Sequence, residues 1–392
     1  MTRLRVLGLL LLLLVAGCSA PAVAPEQDAT RAGCAPDAPP SPTGTVTFDH
    51  ARNVSITGAD GYRVLTFKQP YPGGAPQSVV LVGCGTPDPA LPPQLAGAPV
   101  VRTPVTSIYS GSTTQLPFLG ELHALDDLTG VASLDYISDG AARARVESGA
   151  ATQFAPSGAI DAEKVIAAGP SVVLSGGTED PAFPALRQAR IPVLGWADYL
   201  DSSPLGQAEW IKVMGALTGR DAEADAAYRG IEQRYAAVAA KARGQKPVPV
   251  TLGQPYQGSW NVPAGGSTAG ALFADAGATW SGKAKKQSGS VPSTLENVLA
   301  ADGGAKFWLT DGPFRTTADV AKSDPRLSAF AAVKPGGQLW TRDKLTGPTG
   351  GNQIYERGVA HPDEILADVV SILHPALMPG HQQVYYQRVP TG

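Results

Sequence analysis

The sequence predicts an α/β protein built as two similar α/β lobes joined by a long helical connector, with a small N-terminal β-hairpin region ahead of them. Three observations predict it. From about residue 100 onward β-rich and helical patterns alternate, the signature of α/β layering. That alternation occurs twice, in copies that begin near Val100 and Val248. Between the copies, residues 205–243 repeat apolar side chains at helical spacing. A chain of 392 residues, 43% of them hydrophobic, is ample for two such bodies.

The elements follow in chain order. Arg3 and Arg5 precede an apolar run over residues 7–15 that is short for a membrane span and reads as an export signal. It ends in Val15-Ala16-Gly17-Cys18, which resembles the bacterial lipobox. Residues 1–18 are therefore expected to be a lipoprotein signal peptide and Cys18 the lipidated residue. Residues 19–43 are rich in Ala, Pro, Asp and Thr without apolar periodicity, as expected of a flexible tether. The other two cysteines, Cys34 and Cys84, belong to a chain bound for an oxidising space, and an even pair there is expected to form a disulfide.

Residues 44–98 hold short β-rich runs (46–48, 54–57, 62–68 and 78–82) separated by turn formers such as Gly58-Ala59-Asp60-Gly61, hence the small β region. The N-terminal lobe is expected over residues 99–204, the connector over 205–244 and the C-terminal lobe over 245–392. In the first copy an apolar strand runs from Val100 to Ser107, a loop follows at Ile108-Tyr109-Ser110-Gly111, and Ser112-Thr113-Thr114 opens a helix. In the second, the strand at 248–252 leads to Gln254-Pro255-Tyr256-Gln257-Gly258-Ser259-Trp260, and Ser267-Thr268 opens the helix; the hydroxyls suit free N–H groups there. Glu163-Lys164-Val165-Ile166-Ala167-Ala168 then matches Glu296-Asn297-Val298-Leu299-Ala300-Ala301, and each copy closes with a strand ending in tryptophan, Trp196 or Trp340. In the connector, Thr218-Gly219-Arg220 marks a break. A crossing made of helix resists the φ/ψ changes a hinge must absorb. His361-Pro362 and His374-Pro375 are expected to bound the last helix.

In open α/β sheets ligands sit beyond the carboxyl ends of the strands. That rule selects Tyr109, Ser110, Tyr136, Gly176, Trp196 and Tyr199 in the first lobe, and Tyr256, Trp260, Asp311, Trp340 and Asn352 in the second. Flat apolar faces with polar tips suit a large ligand, and Arg143, Arg145, Arg315, Arg342 and Lys344 are available for an anionic one. Trp280 and Trp308 are assigned to packing or surface. Net charge is −3, with 31 Lys and Arg against 34 Asp and Glu and no basic run in the mature part, so nucleic acid is not an expected partner. The five histidines are scattered without an i, i+4 pair, and no metal site is expected in the chain itself. No G-x-S-x-G elbow, H-E-x-x-H or phosphate loop occurs. Gly265-Gly266-Ser267-Thr268-Ala269 comes nearest, and its serine reads better as a helix cap. An enzyme is therefore not expected; a lipid-anchored hydrolase, or a lipoprotein that keeps the fold without transport, is the alternative.

At this point the arrangement resembles the helical-backbone (class III) periplasmic binding proteins that serve ferric-siderophore and cobalamin ABC importers. The likeness runs from about Val100 to Tyr386. It is carried by Ser203-Pro204-Leu205-Gly206-Gln207-Ala208-Glu209-Trp210-Ile211-Lys212, by Gly253-Gln254-Pro255-Tyr256-Gln257-Gly258-Ser259-Trp260 and by Leu373-His374-Pro375. The resemblance implies a metal chelate captured between the lobes without chemistry, no cofactor, and metal only inside the bound chelate. It implies an ABC permease with its ATPase as partners and an extracytoplasmic monomer held to the membrane by lipid. Many members dock onto their permease through a glutamate on each lobe; Glu121 and Glu296 are the nearest candidates here.

Overall fold

A computed structural model describes Cys34 and residues 42–391 apart from Pro313. The export signal, Cys18 and nearly all of the tether lie outside the described residues. Among the described residues no helix is long and apolar enough to cross a membrane.

Alternating apolar residues build the first sheet. Strands Val54–Ala59 and Tyr62–Phe67 pair antiparallel, and Val54, Ile56, Leu65 and Phe67 fall on the buried face, as a period of two requires. Gln77–Gly83 adds antiparallel, and Val100–Thr103 adds parallel to it. This corrects one expectation: the apolar run from Val100 does not reach Ser107 as a single strand of the first lobe. It stops before Pro104, which has no N–H to continue a ladder. Val105 then donates to the Leu217 carbonyl, and a new strand starts at Ile108. The inner face of the small sheet belongs to the main core, sharing it with the connector helices. A disulfide joins Cys34 to Cys84 just past the strand Gln77–Gly83.

The two lobes repeat one topology. In the first, Leu128–Val131, Ile108–Ser110, Val172–Leu174 and Val193–Leu194 lie side by side and parallel, with the short Thr152–Gln153 beyond the first of them. In the second, Ala278–Thr279, Val248–Leu252, Phe307–Thr310 and Gln338–Thr341 do the same, with Gln387–Arg388 antiparallel at the far edge. With Thr152–Gln153 and Gln387–Arg388 set aside, both sheets place their remaining strands in the spatial order two, one, three, four. The matching helices Ala162–Ala168 and Leu295–Asp302 start alike: Asp161 accepts from the Lys164 N–H, and Thr294 from the Asn297 N–H.

Between the lobes run Pro204–Ala208, Ile211–Thr218 and Asp221–Ala242. Gly219, at φ +70°, closes the middle helix in the left-handed conformation that glycine adopts without steric cost. The last of the three spans about 33 Å at 1.5 Å per residue. It is gripped from two sides. Pro362–Leu373 packs along it, with Arg234 Nε 2.6 Å from Asp363. On the other side the small sheet ties down through Arg63 to Asp221 and through His50 to Glu232 at 2.9 Å.

The tie between the β region and the connector continues through two buried carboxylates. Glu209 accepts from the N–H groups of Asp49, His50 and Ala51. Asp201 accepts from those of Arg52 and Asn53 and from the Trp210 indole. The β region is thus part of the scaffold that holds the lobes.

Candidate ligand cleft

The carboxyl ends of the second-lobe strands open into a cavity of about 370 Å³ whose floor includes Leu252, Gly253, Leu309, Thr310 and Asp311. Tyr199 and Gln207, which follow the first-lobe sheet, line the same cavity, so both lobes contribute to it. A smaller hollow of about 210 Å³ lies at the first-lobe strand ends, against Ser110, Gly111, Val131, Ser133 and Tyr136.

The exposed large hydrophobic side chains among the described residues are Tyr136, Ile166, Tyr199, Tyr256, Leu345 and Tyr355. All but Ile166 sit on segments that leave the carboxyl end of a strand. Chance exposure of single apolar residues is ordinary, whereas a set confined to one face marks a binding surface. Tyr199 is held in place: its hydroxyl donates to the Gly177 carbonyl at 2.7 Å, and Gly177 leaves no space for a Cβ beside the ring. The neighbouring Asp198 is buried, and burial pushes its carboxyl up to about 7 although the Tyr199 N–H and the Thr114 hydroxyl favour its ionised form.

Charge in the cavity is compensated. Arg342 grips Asp311 through Nε and Nη2 and also donates to the Tyr355 hydroxyl at 2.7 Å. Asn261, Ser267, Thr268 and Ser290 add small polar groups. Thr268 also donates to the Asp201 carbonyl at 2.9 Å, joining the second lobe to the start of the connector.

A strap formed by residues 345–356 crosses from the second lobe to the first. The Thr349 hydroxyl donates to the Asp135 carbonyl at 2.7 Å, and Arg143 donates to Thr349. Glu356 accepts from the Ser138 N–H at 2.8 Å, from the Ser138 hydroxyl and from the Asp139 N–H. Burial raises the pKa of Glu356 against these donors.

Several expected site residues lie elsewhere, which corrects the sequence reading. Tyr109 points away from the cleft, because Ile108 and Ser110 take the other side of a strand with period two. Its ring stacks on Phe154 at 5.3 Å on the outer face of the sheet. Trp196 is 1% exposed and packs between Phe118 and Trp210. Trp260 is fully buried, donates to the Leu252 carbonyl and stacks on Trp308 and Phe330. On the same strand Asn261 faces the cavity instead, again by alternation. Trp340 lies within its strand, packs on the core and donates to Gln338.

Asn352 braces the strap, accepting from the Ile354 N–H and donating to the Arg342 carbonyl. Gly176 is exposed on the turn after its strand. Tyr136, Ser110, Tyr199 and Asp311 line the two hollows, and Tyr256 stands exposed on the adjoining hairpin. Of the five cationic candidates Arg342 lines the larger cavity, while Arg145 pairs with Asp126 and Arg315 with Asp343, and Lys344 donates to the Gln383 carbonyl.

Glu121 is not a free surface carboxylate. It sits 2.8 Å from His361 and 3.8 Å from Arg357 of the second lobe, and the His361 hydrogen bond leads the causes that lower its pKa. Glu296 is exposed in the first turn of its helix, 2.7 Å from Arg326. Tyr355, Arg342 and Asn261 complete the site. Within the strap the sequence singles out Asn352 alone, and nothing marks Tyr355 as its exposed ring.

A sequence model of the family described as Periplasmic binding protein matches residues 108–337, more than half of the chain. An uncharacterized lipoprotein of Methanocaldococcus jannaschii is 23% identical over 227 residues, covering 57% of this chain and 53% of that protein. The chain therefore spans about half the length of the curated relative it matches. A solved structure described as a possible iron-binding, periplasmic solute-binding protein from Staphylococcus epidermidis superposes with a TM-score of 0.53 at 17% identity, covering 69% of this chain and 98% of that one. The periplasmic vitamin B12 binding protein of Vibrio cholerae does so with a TM-score of 0.50 at 14% identity, covering 70% and 98%. At such identities the superpositions show the shared fold.

Proposed function

Since the chain belongs to the periplasmic binding protein family, in its helical-backbone branch, we propose that it captures a metal chelate of the ferric-siderophore or cobalamin type between its lobes and presents it, chemically unchanged, to an ABC importer. The observation that carries this reading is a set of exposed tyrosines, Tyr136, Tyr199, Tyr256 and Tyr355, on segments that leave strand ends in both lobes, with Tyr199 and Arg342 lining a cavity that Asn261, Ser267, Thr268 and Ser290 also line. Rings, small polar groups and one guanidinium recognise a bulky ligand by shape, stacking and a few hydrogen bonds. Such a ligand brings its own metal shell, so the protein needs no donor cage. Of the two structural neighbours, one is described as a possible iron-binding protein and the other as a vitamin B12 binding protein.

The same reading makes Cys18 the lipid anchor outside the cytoplasm and an ABC permease with its ATPase the partner. Glu296 is the better docking carboxylate, since Glu121 is already engaged between the lobes.

Isothermal titration of the mature protein with ferric hydroxamates, ferric catecholates, cobalamin and haemin tests the function. One class is expected to bind at micromolar Kd or tighter, and Tyr199→Ala to weaken it about tenfold, the equivalent of losing one good aromatic contact. Absence of heat across the whole panel overturns the reading. Palmitate labelling that persists in Cys18→Ser overturns the anchor.

A further inference from the structure

Beside the cleft is a second hollow of about 270 Å³ that the two lobes alone do not make. One wall is the loop 68–76 of the N-terminal β region, which contributes Pro70, Tyr71 and Pro76; the opposite wall is first-lobe, with Ser175, Thr178 and Phe183. We infer that this hollow is a subsite for a side arm of the chelate, with Tyr71 as a ligand-contacting, specificity-determining residue. The inference rests on the chelate reading above and extends it to ligands that carry an arm.

The loop is built to stay where it is. Gln77 donates to the Val193 carbonyl and accepts from the Gly195 N–H, both at 2.7 Å, so its amide stands in for a neighbouring strand at the open edge of the first-lobe sheet. Asn53 donates to the carbonyls of Gln69 and Ala197 and accepts from the Gln69 N–H, tying the start of the loop to the segment that leads to Tyr199. Pro70 sits so close to Gly195 that a Cβ there would fall 2.0 Å from the proline Cβ. Within the loop, Gly74 donates to the Tyr71 carbonyl and lies against the Tyr71 ring. A ring fixed in this way offers contact area at little cost in ordering.

The hollow and the cleft lie on either side of one turn, residues 175–178. Gly177 of that turn holds the hydroxyl of Tyr199, which lines the main cavity, and Thr178 lines the hollow. A chelate seated against Tyr199 therefore has the hollow within reach of a substituent. The chemistry of the walls sets the arm: Tyr71, two prolines and Phe183 take an apolar chain, and the Glu179–Arg187 pair at 3.3 Å on the rim takes amide or hydroxyl tips.

Matched ligands with and without an arm test it. The mature protein and Tyr71→Ala are titrated with ferric desferrioxamine B against ferric tris-acetohydroxamate, and with cobalamin against cobinamide, which lacks the nucleotide arm. The expected result is a loss of about tenfold in affinity for the armed member of the bound pair and no change for the armless one. Gln77→Ala, which frees the loop and leaves Tyr71 present, is expected to lose part of the same preference, with unchanged circular dichroism excluding misfolding. Equal affinities of Tyr71→Ala and the parent protein for an armed ligand overturn the subsite while leaving the cleft reading intact. A parent protein that binds neither pair overturns the subsite, and one that binds nothing in the whole chelate panel overturns the cleft reading with it.

Discussion

The Glu209 carboxylate and the Lys212 ammonium, one helical turn apart, pair at 2.8 Å in the interior, where both side chains are almost fully buried. Lys212 also donates to the Thr47 carbonyl. Burial by itself would raise the pKa of Glu209, but Lys212 and three backbone N–H groups outweigh it and hold the carboxyl below its usual range. Removing one partner of such a pair leaves the other buried and unpaired. Glu209→Ala is expected to cost about 3–5 kcal/mol of unfolding free energy. A urea midpoint close to that of the parent protein would show that the β region is held by other means. Because the folded pKa is lowered, this contribution is complete above the usual glutamate range and is lost as the pH falls through the folded value.

Asp198 has the opposite sign. Its carboxyl is raised from 3.8 to about 7 in the folded chain, so between those values the folded state holds a proton that the unfolded state has released. Stability from this group therefore falls as the pH rises from about 4 to about 7. Asp198→Asn keeps an acceptor for the Tyr199 N–H and removes the titration. The variant is expected to gain stability relative to the parent at pH 8 and little at pH 4. Identical differences at the two values would refute the assignment.

Two aromatic residues on one hairpin separate packing from recognition. Trp260 is fully buried among Trp308 and Phe330, so Trp260→Ala should destabilise by about 3–5 kcal/mol. Tyr256, on the neighbouring strand, is 61% exposed, and Tyr256→Ala should leave stability within about 0.5 kcal/mol. Only the second is expected to weaken chelate binding at unchanged melting temperature. Loss of binding from Trp260→Ala alone, with the fold intact, would reverse the assignment.

Glu356 holds the strap on the first lobe through three donors from Ser138 and Asp139. Glu356→Ala should release residues 135–139, with amide exchange there at least tenfold faster and exchange in the strand Phe307–Thr310 unchanged. A uniform rise across both regions would point to global destabilisation.

The architecture was legible in the sequence because it is written in repetition. The matching helices at 163–168 and 296–301, and the strand that follows each, signalled two similar lobes, and four parallel strands of each sheet do share one order. Proline and glycine punctuation placed the last helix at Pro362–Leu373 and the connector break at Gly219. The direction of single rings was not legible. In strands of three to five residues a shift of one position exchanges the two faces. Tyr109 therefore turned to the outer face of its sheet and Trp260 into the main core, while Asn261 faces the cavity. Nor was the attachment of the β region legible, since Asp201 and Glu209 look in sequence like any surface carboxylate. They become buried acceptors only when residues 49–53 arrive from some 150 positions away.

The connector helix is flanked by the small sheet on one side and by Pro362–Leu373 on the other. A spacer restrained on both flanks stores no spring for its guest to release, so capture should resemble a key entering a cut lock rather than a jaw shutting. Under the transport reading, an importer then cannot judge occupancy by how far apart the halves stand. It has to feel for the cargo itself, or for the tyrosines at the mouth that the cargo has stilled.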